Sequence, residues 1–177
     1  VMTARLVNGG FEIFPHITKS IMQDGIRKAQ ARPRFKTLSL PRNHLALILS
    51  AMNKVVNDPL GTAYRARITE PGLEMAGKTG TVQVRRISKK ERETGVKKNK
   101  DLPWEERDHA LFVGYAPVDN PNYAISVVVE HGGGGSSKAA PIARDILKET
   151  QARGSKGFDA QSAKTLEDEP SEGNVEG

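Results

Sequence analysis

Two stretches of the chain carry apolar residues at three- and four-residue spacing, and several others carry short apolar runs bounded by glycine, proline and asparagine. Leu45, Ile48, Leu49, Met52, Val55 and Val56 make the stripe of an amphipathic helix facing a core. Pro41 suits its first turn, Ser39 is a candidate cap, and Asp58-Pro59 with Gly61 ends it. Ala139, Ile142, Ala143, Ile146 and Leu147 form a second stripe, with Pro141 in the first turn and Ser136 or Ser137 as cap. A short helix over Val1 to Val7 stops at Asn8-Gly9-Gly10, where glycine can take the left-handed conformation that closes a helix.

Between these helices the pattern changes to that of strands. Phe11, Ile13 and Ile17, with Pro15 among them, predict an extended or edge segment, because proline cannot donate to an interior ladder; Ile21 and Met22 end it before a turn at Asp24-Gly25. Met75 to Val84 has strand-like spacing of threonine and valine. Ala110 to Tyr115 and Tyr123 to Val129, joined through a proline- and asparagine-containing turn, predict two adjacent antiparallel strands. Ile125 to Val129 has little polar alternation, which predicts cover on both faces. The order of elements implies an α+β domain, an antiparallel sheet packed with helices, over residues 1–150.

Two segments fall outside this rhythm. Arg86 to Arg107 has almost no apolar periodicity and reads as a long loop (86–107) between strands, a length that tends to be functional or disordered. From Gln151 the chain turns polar and acidic, so residues 151–177 are expected to form a disordered tail. The chain opens at Val1 as though a helix were entered midway, and we read it as part of a longer polypeptide.

Composition narrows the chemistry. There is no cysteine, so disulfides, thiolate nucleophiles and cysteine zinc sites are excluded. The four histidines are not at paired ligand spacing, and neither a metal nor a cofactor is expected. No run approaches the ~20 apolar residues of a membrane-spanning helix, so any anchor must lie upstream. The net charge of +6 is concentrated between Arg85 and Lys100, against an acidic stretch from Glu167 to Glu176. The basic segment lacks interleaved aromatic residues, which argues against a nucleic-acid partner. His131, before four glycines, lacks the Lys-Ser/Thr that completes a phosphate loop, so the glycines are read as a tight return into the last helix, able to border a cleft. Trp104, the only tryptophan, either pins the long loop or touches a partner.

The stretch that carries chemistry is Ala76-Gly77-Lys78-Thr79-Gly80-Thr81-Val82-Gln83. On a strand, Lys78 and Gly80 share one face and Thr79 and Thr81 the other. A peptide ending in a carboxylate needs a cation and a hydroxyl near that group, and this edge offers both. Gly80, without a side chain, lets a substrate lie against the backbone.

Lys-Thr-Gly on a strand is the third signature element of the serine penicillin-recognising enzymes. With Val56-Asn57-Asp58-Pro59 and Gly61-Thr62-Ala63 before it, Val113-Gly114-Tyr115-Ala116-Pro117 after it, and Asn8-Gly9-Gly10 and Pro15 upstream, the chain resembles the C-terminal part of the penicillin-binding transpeptidases over Val1 to Thr150. The likeness is strongest to the elongation type of rod-shaped bacteria. It implies a peptidoglycan stem peptide ending in D-Ala-D-Ala, laid along the strand edge as an added strand, and β-lactams as mimics of that dipeptide. It implies further that Thr79 meets the terminal carboxylate, that Lys78 supplies positive potential and joins proton transfer, and that the Thr81 N–H is one of two oxyanion donors. By the same resemblance, partners would be a shape-determining glycosyltransferase and elongation-complex proteins, and the site would lie at the periplasmic face of the inner membrane. The family's Ser-x-x-Lys and Ser-x-Asn elements, which precede Lys-Thr-Gly, occur nowhere in this sequence. The nucleophile is therefore expected upstream, and the chain alone is expected to be inactive. A D,D-carboxypeptidase or β-lactamase, and a non-catalytic β-lactam sensor or scaffold, are the alternative readings.

Overall fold

The computed structural model describes residues 1–18, 20–23, 26–29, 36–37 and 40–167. Three antiparallel strands form the central sheet in the order β3-β4-β5: β3 is Ala76–Val82, β4 His109–Ala116 and β5 Tyr123–Val129. Helix α4 (Ala140–Glu167) covers one face, and α1 (Met2–Val7) and α2 (Arg42–Asn57) lie against the other. A hairpin, β1 (Ser20–Gln23) with β2 (Ile26–Ala29), forms a separate two-stranded sheet. The α+β class and the three predicted strands follow the sequence pattern closely.

Small residues bring α4 down onto the sheet. Ala139, Ala140, Ala143 and Leu147 are buried against Ala110, Phe112 and Ala116, with Val56, Ala63, Ala66, Ile68 and Met75 closing the same cluster. Met52 of α2 packs with Ala76 and Tyr115 on the opposite face, with Leu6 and Val7 of α1 beside them. Gly77 and Gly114 are register partners. A Cβ on either would collide with the Phe112 ring, so the two glycines make the slot in which that ring is buried.

Helix α1 ends as its glycines predict: Gly9 and Gly10 have φ of 82° and 88°, and the Gly10 amide donates to the Arg5 carbonyl at 2.9 Å. Helix α2 begins after Pro41, which stands at the cap position without a side-chain hydrogen bond. Ser39 and the Asp24-Gly25 turn lie outside the described residues.

Several expectations are corrected. Phe11 to Ile17 is extended but forms no strand beyond a single bridge from Phe11 to Thr37; the ladder begins at Ser20. Its partner β2 was not anticipated, because Arg27 and Lys28 interrupt any apolar alternation. Strand β5 is covered on one face only: exposure alternates along it, and Val128 is 59 % exposed. Successive side chains point to opposite faces, and α1 and α2 reach only the part of the second face around Ala76 and Tyr115. On α4, Ile142 and Ile146 are exposed while Ala140 is buried, because the contact with the sheet is narrower than the apolar stripe. Neither Ser136 nor Ser137 caps α4. The helix is entered through a π-helical turn, Gly135–Ala139, in which the Ser137 hydroxyl donates to the Gly134 carbonyl.

The segment 86–107 is not structureless. It contains α3 (Lys89–Thr94), capped by the Ser88 hydroxyl, and two short 3-10 turns. The helical backbone of α4 continues to Glu167, past the point where disorder was expected. Helical hydrogen bonds are local and need no apolar stripe. The first residue of that extension, Gln151, is buried and donates from Nε2 to the Leu73 carbonyl at 3.1 Å. Residues 168–177 of the acidic tail lie outside the described residues. No helix among the described residues is long and apolar enough to cross a membrane.

Candidate functional site

Strand β3 pairs with β4 along one edge, with Lys78 opposite Val113, Thr79 opposite Phe112, Gly80 opposite Leu111 and Thr81 opposite Ala110. Among the described residues its other edge has no strand partner. The Gly80 amide and the Leu111 carbonyl lie together where a Cβ on Gly135 would stand, as they do when this register pair exchanges ladder bonds. An antiparallel ladder alternates bonded and unbonded pairs, so the amides and carbonyls of Thr79 and Thr81 face the open edge. Lys78 supports this orientation: its Nζ donates to the Thr79 carbonyl at 2.8 Å. Lys78 and Thr81 are exposed, and Thr79 and Gly80 are half-buried.

The room left by Gly80 is taken up by the protein itself. Leu111 Cβ stands 3.2 Å from the place of a Gly80 Cβ, and Gly135 presses on the Gly80 backbone. The glycine loop thus braces the strand from its face and leaves the edge clear.

Thr62 stands beside the candidate site, a placement not expected from the sequence. Its hydroxyl lies 3.2 Å from that of Thr79. The end of α2 puts it there: Asn57 Nδ2 donates to the Met75 carbonyl at 3.0 Å, tying the helix to the start of β3. Asp58 Oδ1 accepts from the Leu60 amide, and the Ala63 amide donates to the Val55 carbonyl. Gly61 lies so close to the Lys54 and Val55 carbonyls that no side chain fits. The available signal was the position of Thr62 within Gly61-Thr62-Ala63, which had been read only as part of the family likeness.

The open stretch of β3 lies between two cavities. One, about 560 Å³, is lined by Thr62, Arg65, Ser136, Ser137 and Pro141. The other, about 120 Å³, begins at Thr81 and Gln83 and is walled by the segment 86–107. A larger cavity of about 610 Å³ between Tyr123 and the stretch of α4 from Asp145 to Gly154 shares no residue with β3.

The wall formed by segment 86–107 is held by specific contacts. Arg85 forms a bidentate ion pair with Glu91, which also accepts the Lys97 amide at 3.3 Å. The Arg85 guanidinium holds the Glu91 carboxyl down at about 2. Asn99 and Asp108 bond reciprocally, Asp108 N to Asn99 Oδ1 at 2.8 Å and Asn99 Nδ2 to Asp108 Oδ2 at 3.0 Å. The Trp104 ring packs tilted at 56° against His131 with centroids 4.4 Å apart, and His131 meets His109 edge-on at 4.7 Å. Of the two roles left open for Trp104, the structure supplies the pin. His131 has φ 53°, a strained value for a histidine, and its Nδ1 lies 3.0 Å from the Arg107 carbonyl. Among the described residues no cluster of His, Cys, Asp or Glu is placed to hold a metal.

Residues 1–148 match the family model of the penicillin binding protein transpeptidase domain. The chain is 34% identical over 148 residues to the peptidoglycan D,D-transpeptidase MrdA of Haemophilus influenzae, covering 82% of this chain and 22% of that protein. It is 30% identical over 143 residues to MrdA of Escherichia coli K12, covering 80% and 22%. Among solved structures, it resembles Pseudomonas aeruginosa PBP2 with a TM-score of 0.60 and 34% identity, over 82% of this chain and 27% of that one. It also resembles Helicobacter pylori PBP2, solved in complex with MreC, with a TM-score of 0.63 and 26% identity, over 86% and 24%. The chain therefore spans about a fifth of the curated relatives' length. On the family match over residues 1–148 and the relatives of 30% identity or more, this chain belongs to the penicillin-binding protein transpeptidase family.

Proposed function

We propose that this chain is the C-terminal part of a peptidoglycan D,D-transpeptidase of the elongation type, and that its β3 edge binds the acyl donor. The observation that carries the reading is the alignment of the Lys78 ammonium, the Thr79 hydroxyl and the outward Thr81 amide on one unpartnered strand edge. A stem peptide ending in D-Ala-D-Ala adds to that edge as a strand. Main-chain bonds supply affinity, and the hydroxyls of Thr79 and Thr62 receive its terminal carboxylate.

The chemistry is acyl transfer through a serine that this sequence does not contain. The serine hydroxyl attacks the carbonyl of the penultimate D-alanine, and its proton passes into the network that includes Lys78. The Thr81 N–H donates to the oxyanion, a contact worth about 2.7 to 4 kcal/mol of barrier. D-alanine then leaves with a proton on its nitrogen. An amine of a neighbouring stem peptide takes the acyl group and frees the serine. β-Lactams acylate the same serine, and the chain alone forms no acyl-enzyme. The site works at the periplasmic face of the inner membrane, anchored by a segment outside this chain. Its partners are a shape-determining glycosyltransferase and elongation-complex proteins, a reading supported by the Helicobacter pylori relative solved in complex with MreC.

The test is acylation of the complete polypeptide by a fluorescent penicillin. Lys78→Ala slows labelling by about a hundredfold or more, the scale of a lost acid–base group, while leaving the fold intact. Labelling at the native rate would refute the role given to Lys78. Rapid D-alanine release without cross-links would favour a carboxypeptidase.

A further inference from the structure

The peptide unit that joins Gly80 to Thr81 has its two polar ends on opposite edges of β3. The Gly80 carbonyl lies on the β4 side, with Leu111 as register partner, and the Thr81 N–H lies on the open side. The unit is planar and nearly rigid, so the direction of the carbonyl fixes the direction of the N–H. Whatever holds the Gly80 oxygen therefore also aims the amide that the reading above assigns to the oxyanion.

Gly135 makes that contact. A methyl group on it would overlap the Gly80 and Leu111 carbonyl oxygens and stand 3.0 Å from the Gly80 nitrogen, so the Gly135 backbone lies directly on the β3–β4 ladder. Gly135 is buried and opens the π-helical turn Gly135–Ala139 that leads into α4. Such turns are rare and recur at functional sites. The loop before it is tied to the sheet: the Gly132 amide donates to the Val129 carbonyl at 3.1 Å, and the Gly133 amide to the Asp108 carbonyl at 2.8 Å. Behind it the Lys138 amide donates to the Gly134 carbonyl at 3.0 Å, and Ala139, Ala140 and Ala143 are packed against Ala110 and Phe112. Gly135 therefore has no room to retreat from the strand without unpacking the start of α4.

We propose that Gly135 is a positioning residue for the acyl transfer: by bearing on the Gly80 carbonyl it sets the aim of the Thr81 N–H at the oxyanion. Only glycine serves, because any side chain would be driven into the ladder. Relieving that overlap takes a displacement on the order of 1 Å, and a misplacement of that size costs about a hundredfold in rate. The glycine loop and the π-helical turn thus act on the chemistry from the far side of the strand, without touching the substrate. The inference rests on the strand-edge reading of β3, which alone assigns the Thr81 amide to the oxyanion.

The test uses the complete polypeptide and a penicillin labelled with carbon-13 at its β-lactam carbonyl. The ester it forms with the serine has an infrared band that falls in wavenumber as oxyanion donors polarise it. Native protein is compared with Gly135→Ala and with Gly132→Ala, whose methyl group would meet Val129 and Ala110 side-chain atoms at 2.8 to 3.1 Å and lift the loop less. Gly135→Ala slows acylation by about a hundredfold. It moves the ester band to higher wavenumber and leaves the dissociation constant of the complex before acylation unchanged. Gly132→Ala shifts rate and band in the same directions by a smaller amount, and it decides the matter if Gly135→Ala does not fold. A native rate and band in the folded variants would overturn the proposal. Slow acylation with the band unmoved would make Gly135 a structural residue and overturn it equally. Native polypeptide that penicillin fails to label would instead sink the strand-edge reading, and this inference with it.

Discussion

At the scale of single residues, the pair of hydroxyls on Thr62 and Thr79 is the feature most open to test. They stand 3.2 Å apart on different elements, one on the loop after α2 and one on β3. On the proposed function, a carboxylate between them would accept from both, so each would contribute to the grip on carboxylate-bearing substrates and neither would take part in bond breaking. Thr79→Ala is expected to lower kcat/KM for such substrates by about tenfold, and Thr62→Ala by less, the scale of one or two hydrogen bonds to a charged group. Turnover of an analogue lacking the carboxylate is expected to stay unchanged, and parallel steady-state kinetics on the two substrates checks both. If both substrate classes fall together, the threonines are structural. The lysine, threonine and glycine of the proposed site could be named from the sequence because their types and order on a strand are specific. Thr62 was not, since its role arises from a contact 17 positions away in sequence that only the closure of the Gly61 turn creates.

At the scale of elements, strands β3 and β4 and helix α2 could be located from the sequence, but cover is narrower than the pattern: β3 is buried at Ala76 and Gly77, and on the predicted stripe of α2 Met52 and Val56 are buried while Ile48 is exposed. Strand β5 and the burial on α4 were misjudged for a common reason. Apolar runs record what a surface is able to bury, whereas cover depends on which neighbours are present, and only one layer lies over β5. Segment 86–107 reads as a loop in sequence because its order comes from the Arg85–Glu91 ion pair and the packing of Trp104 on His131, which leave no period in the sequence. Its main anchor is acid-sensitive in a defined window. The Glu91 carboxyl titrates at about 2 in the folded chain, against an ordinary value of 4.5. The unfolded segment therefore binds the proton first, and the stabilisation from Arg85–Glu91 is complete above about 4.5 and is lost as the pH falls toward 2. Trp104 lies in the same segment and is the only tryptophan, so its emission reports the wall directly. Native chain should show a Trp104 emission change across that window that Glu91→Gln lacks. Identical acid profiles would remove the ion pair as the anchor.

At the scale of the whole molecule, the sheet is finished on one side only. Helix α4 closes the first face over Phe112 and Ala110, while the second leaves Val128 exposed and α2 presents Leu47 at 70 % exposure. The antiparallel sheet and its packing with helices were legible because strands that neighbour in sequence tend to neighbour in space, whereas the place of β3 beside β4, across a long connection, was not read from the sequence. The central claim is that the open edge of β3 receives the acyl group, with its main chain as the oxyanion donor. The most direct measurement is a crystal structure of the complete polypeptide acylated by a penicillin. The account predicts the acyl carbonyl oxygen about 2.7 to 3.1 Å from the Thr81 nitrogen, with the drug's carboxylate on the Thr79 hydroxyl. An adduct whose carbonyl points away from Thr81, with the edge of β3 empty or covered by another strand, would contradict it.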